Sequence, residues 1–185
     1  GGGPYGDDDA TDEFYWAAAE LYLTTGDSSY QKDMKASDWY LDVPTTLKGG
    51  ESVDTVASFD WGHTAALGSI SLSLYPDQLG KDAEKLSDAF SEAADTYLQL
   101  EDEQGYGQPY AASTISSSDS DNGYVWGSNS FVIDNAIILA YAYDLTDNTD
   151  YLNGAATAMD YLLGRNPVDY SYVTGYGTHA VQYPH

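Results

Sequence analysis

The sequence contains no cysteine, so neither disulfide bonds nor cysteine-ligated metal centres hold this chain together. A His-x-x-x-His pair is also missing, and with it the usual arrangement of a zinc site. The P-loop that binds nucleotide phosphates and the Gly-x-Ser-x-Gly turn of serine hydrolases do not occur. Zinc chemistry, P-loop nucleotide binding and serine hydrolysis therefore have no support, whereas the lack of cysteine leaves the cellular compartment open.

Positive charge is scarce. Lysine and arginine together number 6 against 30 aspartates and glutamates, which gives a formal net charge of -24. Because nucleic acids and anionic membrane surfaces are themselves negative, this balance argues against both as partners. It suits a neutral substrate, a cation such as calcium, or a salty environment, in which an acidic surface keeps a protein soluble. Halophilic adaptation is the alternative explanation of the charge.

Long apolar runs are absent too, and no secretory signal opens the sequence. With 42% hydrophobic and 14% aromatic residues, 185 residues suffice to bury the core of one domain. Three glycines at positions 1–3 do not resemble a natural start. We therefore expect a segment of a longer protein.

Apolar residues recur with helical spacing between short breaks of glycine, proline, serine and aspartate. No convincing alternation of the kind that marks a strand appears. The sequence thus predicts an all-α chain with helices at residues 11–25, 28–41, 61–75, 81–100, 130–145 and 149–163.

The predicted helices repeat in pairs. Residues of the first pair recur in the last pair, and tyrosines near the ends of second helices recur about every 60 residues: Ala19 as Ala140, Tyr22 as Tyr143, Thr25 as Thr146, and Tyr40 as Tyr97 and Tyr161. Such a repeat predicts stacked αα-hairpins, as in solenoids or closed α/α toroids. Long loops at 42–60 and 101–127 would then form a binding face at one end. An irregular helical bundle is the alternative.

Five carboxylates crowd into residues 7–13, just where the first helix begins. Acids favour helix N-termini, so a solvated acidic cap is one interpretation. Three adjacent aspartates followed by two more acids exceed that need, and a hard cation such as calcium would relieve their repulsion. Asp60, at the next junction between loop and helix, is either a helix N-cap or a more distant acid of the same cation site.

Aromatic residues mark the remaining loops. Trp126 stands beside a glycine before the fifth predicted helix, where it is either a core residue or an aromatic face for a sugar ring. Residues 164–185, here the tyrosine-rich loop, contain four tyrosines and two of the three histidines. Aromatic surface of this kind favours an ordered site loop over disorder. We expect His63 and His179 to serve hydrogen bonding rather than metal binding.

Several of these segments resemble glycoside hydrolase family 9, the inverting cellulases, and the cellulosomal cellobiohydrolase and endoglucanase branch most. The similarity covers the whole chain, and its last part is the most specific. The segments that carry it are DEFYWAAAELY at 12–22 with TGD at 25–27, WGSNS at 126–130, YLLGRNP at 161–167, SYVTGYG at 171–177 and PH at 184–185.

The resemblance implies that residues 1–185 are part of a catalytic domain, about three helical hairpins of a six-hairpin (α/α)6 barrel plus the start of the signature loop. It implies a cleft for cellulose or cello-oligosaccharides, with Trp126 presented to the glucan and His185 contacting sugar beside the reaction centre. It also implies a structural calcium ion near the Asp-Glu pair, held by Asp8, Asp12, Glu13 and Asp60. Its partners would be the glucan and the rest of its own catalytic domain, in a secreted, extracellular enzyme.

The departures from the family's pattern concern catalysis. An inverting glycosidase needs a general acid and a general base far enough apart to admit water. The family's Asp-Ala-Gly-Asp element, which supplies the base, does not occur in this sequence, and nothing follows His185, beyond which the family places its acid. We expect a segment that is inactive alone. The alternatives are a non-catalytic carbohydrate-binding protein and a calcium- or salt-stabilised structural helical protein.

Overall fold

The computed structural model describes residues 9–48, 54–112 and 123–183. Within these residues the regular structure is helical, with isolated bridges and no strand. The helices are α1 (Thr11–Thr25), α2 (Ser28–Ala36), α3 (Ala65–Ser73), α4 (Pro76–Leu79), α5 (Asp82–Glu103), α6 (Asn129–Thr146) and α7 (Thr149–Leu163). The all-α prediction is confirmed, and α1 and α7 have the predicted bounds. None of the described helices is long and apolar enough to cross a membrane.

Helix α2 is shorter than predicted because the backbone leaves the helical region after Ala36. Ser37 is extended, with φ -71° and ψ 141°, and its hydroxyl accepts a hydrogen bond from the Trp39 N–H at 3.2 Å. Leu41 then adopts a positive φ of 63°. A leucine in the left-handed region cannot continue a right-handed helix, so the apolar spacing that predicted a helix to residue 41 belongs to a turn.

The third predicted helix is shortened at both ends. Residues 60–63 form a tight turn before α3, and Pro76 starts the separate helix α4. The N-cap of α3 is Thr64, whose side chain makes no capping hydrogen bond. The interpretation of Asp60 as an N-cap is therefore wrong.

The turns that join α1 to α2 and α6 to α7 share one geometry. Each begins at a left-handed residue, Gly26 with φ 70° or Asp147 with φ 56°, whose N–H donates to the carbonyl of a tyrosine four residues before at 2.8 Å. The next residue, Asp27 or Asn148, caps the following helix through its side-chain oxygen. The repeated Tyr and Thr thus mark a repeated turn, and the hairpin prediction is confirmed for these two pairs.

Contacts divide the chain into two compact units, residues 1–93 and 94–185. In the first unit α1 packs against α2 and α3. Tyr15 lies at this junction, only 1% exposed, and its hydroxyl is within hydrogen-bonding distance of Ser69 Oγ and accepts from the Leu41 N–H, at 3.1 Å each. The buried apolar side chains of this unit also include Ala19, Met34, Leu72, Leu86 and Phe90.

In the second unit α6 packs against α7. The residues between and beside them form one buried cluster, Tyr110, Val132, Ala136, Ala158, Tyr161 and Leu162. Three partly buried residues from loops and a helix start border this cluster, Val125, Phe131 and Tyr172. The loop before α6 and the tyrosine-rich loop are therefore both anchored in the core of this unit.

The close packing of Gly68 in α3 against Tyr15 is predicted to contribute to stability. A Cβ atom there would lie 2.7 Å and 2.9 Å from ring atoms of Tyr15 and 3.2 Å from the Trp16 Cα. Because the Tyr15 hydroxyl is held by hydrogen bonds, the ring cannot turn away without breaking them. We expect Gly68→Ala to lower the free energy of unfolding by about 1–3 kcal/mol, measured by denaturant titration of the full-length protein.

The matched control is Gly105→Ala, where a Cβ meets nothing within 4 Å. That variant should differ little from the wild type. An equal loss at both positions would show that close contact with Tyr15 is not the cause.

Candidate active site

The carboxylate of Asp12 is built into the start of α1 and is 5% exposed. Its Oδ2 accepts hydrogen bonds from the Thr64 N–H at 2.5 Å and the Thr64 hydroxyl at 3.2 Å. Burial raises the pKa of Asp12, but the hydrogen bonds from Thr64 and Glu13 outweigh it, and the net pKa is lowered. Asp12 therefore joins α1 to the start of α3 as an anionic group.

Asp60 and His63 form a hydrogen-bonded pair next to this carboxylate. Asp60 Oδ1 lies 2.8 Å from His63 Nδ1 and accepts the Gly62 N–H at 2.9 Å, while His63 Nε2 is 3.0 Å from the Lys48 carbonyl oxygen. Burial lowers the pKa of His63. The two hydrogen bonds and the negative charges of Asp60 and Asp12 raise it by more, so the net pKa is above its ordinary value. The expectation that His63 serves hydrogen bonding is confirmed.

The donor chemistry at this place is compatible with a hard cation. Asp12 and Glu13 are adjacent acids whose side chains interact, and carboxylate oxygens are the ligands that a hard cation prefers. Within residues 9–48, 54–112 and 123–183, however, no three acidic or histidine side chains are grouped as ligands of one metal ion. Asp8, the fourth predicted ligand, lies outside the described residues.

Trp126 is displayed to solvent by a loop that is anchored on either side of it. Val125 packs against the buried cluster of the second unit, and Gly127 turns the chain with φ 74° into α6. The Trp126 side chain is 77% exposed. Of the two interpretations of this residue, the core position is therefore wrong, and an exposed aromatic face remains.

The tyrosine-rich loop is ordered over its described residues, 164–183. Asn166 is its hub: the buried side chain donates from Nδ2 to the carbonyls of Tyr161 and Tyr170 at 2.8 Å each, and its Oδ1 accepts the N–H groups of Val168 and Tyr170. Ser171 then bonds the part of the loop that returns past it, donating its N–H to the His179 carbonyl at 2.7 Å. His185, the predicted sugar contact, lies outside the described residues.

Glu101, near the end of α5, is a further ionisable group that the sequence did not indicate. Burial raises its pKa to about 8, against a smaller lowering by the charge of Arg165 and with a further increase from Asp102. Glu101 Oε2 lies where a Cβ on Gly154 of α7 would be 3.0 Å away. A glutamate at the polar end of a helix is ordinarily solvated, so only the tertiary structure could reveal this burial.

Comparison with known proteins places these features in a family context. Residues 1–185 match the family described as Glycosyl hydrolase family 9. The chain is 44% identical to a cellulose 1,4-beta-cellobiosidase of Acetivibrio thermocellus, over all of this chain and 21% of that protein. It is 39% identical to endoglucanase C of Cellulomonas fimi, over all of this chain and 15% of that protein. The chain thus spans about a fifth or less of these relatives.

Solved structures give the same picture. A family 9 glycoside hydrolase of Bacteroides ovatus matches 97% of this chain and 30% of its own, with TM-score 0.73 and 30% identity. The family 9 endoglucanase J30 matches 97% of this chain and 30% of its own, with TM-score 0.75 and 26% identity. These matches confirm the predicted resemblance and the predicted fold class, in which the helical hairpins are a partial segment of an (α/α)6 barrel.

The raised pKa of Glu101 predicts a pH dependence of stability. From the ordinary glutamate pKa up to about 8, the folded protein retains a proton that the unfolded chain has lost. The stabilisation is therefore complete below the ordinary glutamate pKa and is lost as the pH rises through about 8. Glu101→Gln cannot lose that proton, so its melting temperature should rise relative to the wild type between pH 5 and pH 9.

Glu103→Gln, which alters an exposed acid on the same helix, is the control for this experiment. Its melting temperature should follow the wild type across the same pH range. If both variants track the wild type equally, Glu101 does not titrate in the way its burial requires.

Proposed function

Because the chain belongs to glycosyl hydrolase family 9, we propose that it forms part of the catalytic domain of a secreted β-1,4-glucanase that hydrolyses cellulose or cello-oligosaccharides with inversion. The observation that carries this proposal is the match of the family over residues 1–185, together with relatives named cellobiosidase and endoglucanase. The chain's strong negative charge is in keeping with an uncharged glucan substrate.

In this proposal the chain supplies substrate contacts. Trp126 presents an exposed indole on an anchored loop, and the apolar faces of glucose rings can lie against such a surface. His185, the last residue of the tyrosine-rich loop, would contact sugar beside the reaction centre. The hydrogen bonds around Asn166 support this role, because a loop fixed before substrate arrives loses little conformational entropy on binding.

The two catalytic carboxyl groups are proposed to come from other parts of the domain. Inversion requires a general acid that protonates the leaving oxygen and a general base that activates water on the opposite face of the sugar, about 6.5–9.5 Å apart. Neither role is assigned to a carboxylate of this chain. Asp12 and Asp60 bond Thr64 and His63, and in this proposal they serve a structural rather than a catalytic role.

Asp8, Asp12, Glu13 and Asp60 are proposed to hold a structural calcium ion. When bound, the ion would supply positive charge that offsets the repulsion among these carboxylates. The closeness of the Asp12 and Glu13 side chains and the nearness of the Asp60–His63 pair support this assignment. The ion would then stabilise the junction of α1 with the turn before α3.

Hydrolysis by the full-length protein tests the proposed function. We expect reducing sugar to be released from carboxymethylcellulose or phosphoric-acid-swollen cellulose. Release from xyloglucan alone would favour the specificity named for a 30% identical relative, a xyloglucan-specific endo-beta-1,4-glucanase of Bacteroides ovatus. Binding of cello-oligosaccharides with no release from any glucan would favour a non-catalytic carbohydrate-binding protein instead.

The same assay tests the role of Trp126. Trp126→Ala should raise the KM for cellotetraose about tenfold, equivalent to about 1.4 kcal/mol, since the exposed ring contributes binding rather than chemistry. Trp126→Phe, which keeps an aromatic face, should lose less. Equal KM values for the wild type and Trp126→Ala would remove this residue from the cleft.

Calcium binding predicts a metal-dependent melting temperature. Excess calcium should raise the melting temperature of the full-length protein over that in chelator, by an amount that corresponds to about 2.7 kcal/mol at a hundredfold excess over Kd. Asp12→Asn and Asp60→Asn should each abolish most of this difference. The difference, rather than the melting temperature itself, is compared because Asp12 also binds Thr64.

Asp33→Asn, which alters an exposed acid of α2, is the matched control and should keep the full calcium response. A calcium response that survives in both site variants would place the ion elsewhere. No response in the wild type would overturn the calcium site.

A further inference from the structure

Arg165 is the single arginine of the sequence, and it stands where α7 gives way to the tyrosine-rich loop. Its backbone N–H donates to the Asp160 carbonyl at 2.8 Å. Its guanidinium turns back along the helix and donates from Nη2 to the Thr157 carbonyl at 3.0 Å. The residue is thus fixed to the end of α7 at both its backbone and its side chain.

A second loop packs against this guanidinium. Gly107 has φ 65°, and a Cβ on it would lie 3.3 Å from Arg165 Nη2 and 2.9 Å from Thr157 Cγ2. The backbone at Gly107 therefore approaches the arginine so closely that a side chain there would crowd it. Arg165 contacts the start of the loop that later carries Trp126.

The contact continues from Gly107 toward Trp126. Gln108, which is 2% exposed, donates from Nε2 to the Tyr124 hydroxyl at 2.6 Å. Tyr110 lies beside Tyr124, with ring centroids 5.9 Å apart. Trp126 follows Tyr124 by two residues. A displacement of the backbone at Gly107 would therefore be passed through Gln108 and Tyr110 to the segment that displays Trp126.

Glu101 gives the arginine an acidic neighbour. Its carboxyl group lies against α7 at Gly154, and it experiences the charge of Arg165. Among the described residues no hydrogen-bond partner reaches the buried Glu101 Oε1. Arginine suits this position better than lysine does, because its planar group can donate to a carbonyl while facing a carboxyl group.

We propose that Arg165 is a positioning residue of the glucan cleft, which holds the loop of residues 104–110, and through it the Trp126 segment, in register with the tyrosine-rich loop. This proposal rests on the proposed function. It adds a residue that touches no substrate and acts through the two loops that do. Gly107 is the other residue of this contact, since Arg165 can hold the loop only if the backbone at position 107 comes as close as glycine permits.

The test uses the full-length enzyme with cellotetraose as substrate. Arg165→Gln should raise KM about tenfold and change kcat less than twofold, because the contact between Arg165 and Gly107 arranges binding residues and not the catalytic carboxyl groups. Arg165→Lys, which can still donate to the Thr157 carbonyl, should raise KM less. Gly107→Ala should raise KM in the same direction with every charge intact. Lys81→Gln, which removes an exposed charge, should match the wild type.

Hydrogen exchange provides a readout that is independent of activity. In Arg165→Gln the amides of residues 104–112 and 123–128 should exchange faster, whereas those of α1 should be unchanged. A wild-type KM in both Arg165→Gln and Gly107→Ala, or a lowered melting temperature with unchanged KM and unchanged exchange, overturns the proposal. A wild-type enzyme that releases no glucan sugar contradicts the proposed function instead, and the exchange rates still decide whether Arg165 holds the loop.

Discussion

The carbonyl groups at the end of α7 impose the constraint on which the second unit depends. The last carbonyls of a helix have no partner within the helix, and when they are buried something else must bond them. Here the tyrosine-rich loop does so: the Arg165 N–H bonds the Asp160 carbonyl, the Asn166 side chain bonds that of Tyr161, and the Tyr172 N–H bonds that of Leu162. These hydrogen bonds to the last carbonyls of α7 fix the start of the loop, and this is why the loop is ordered.

The same constraint operates at helix ends in the first unit. The N–H of Thr64, just before α3, is bonded by the carboxylate of Asp12 from α1. A residue that the family resemblance assigns to a metal site is therefore also a structural hydrogen-bond acceptor. Both candidate regions, the acidic residues at the start of α1 with the turn before α3 and the tyrosine-rich loop, are built where a helix begins or ends. Backbone groups that lack partners inside the helix account for the polar side chains in both places.

The sequence predicted those features that local chemistry determines. Apolar spacing and the glycine or polar breaks at their ends placed α1 and α7 correctly, because their ends are set by neighbouring residues. The predicted end of α2 and the N-cap interpretation of Asp60 were wrong, since Leu41 is held by a residue distant in the sequence and Asp60 by a turn that spacing does not specify. Helical periodicity also extends through segments that form turns.

The candidate site was predicted by residue type rather than by geometry. The sequence singled out Trp126, and the packing of its neighbour Val125 decided that its ring faces solvent. Asn166 was overlooked as the hub of its loop, although an Asn-Pro pair after a helix stop is a signal of side-chain bonding to a turn. The burial of Glu101 had no such signal, because it depends on Gly154 and Arg165, more than fifty residues away in the sequence.

A crystal structure of the full-length protein with bound cellotetraose tests the central claim most directly. That claim is that this segment supplies substrate contacts of a glucan cleft from the ordered ends of its helices. The account predicts a glucose ring against the Trp126 indole, with the glucan running along the tyrosine-rich loop. A glucan bound away from both segments would contradict it.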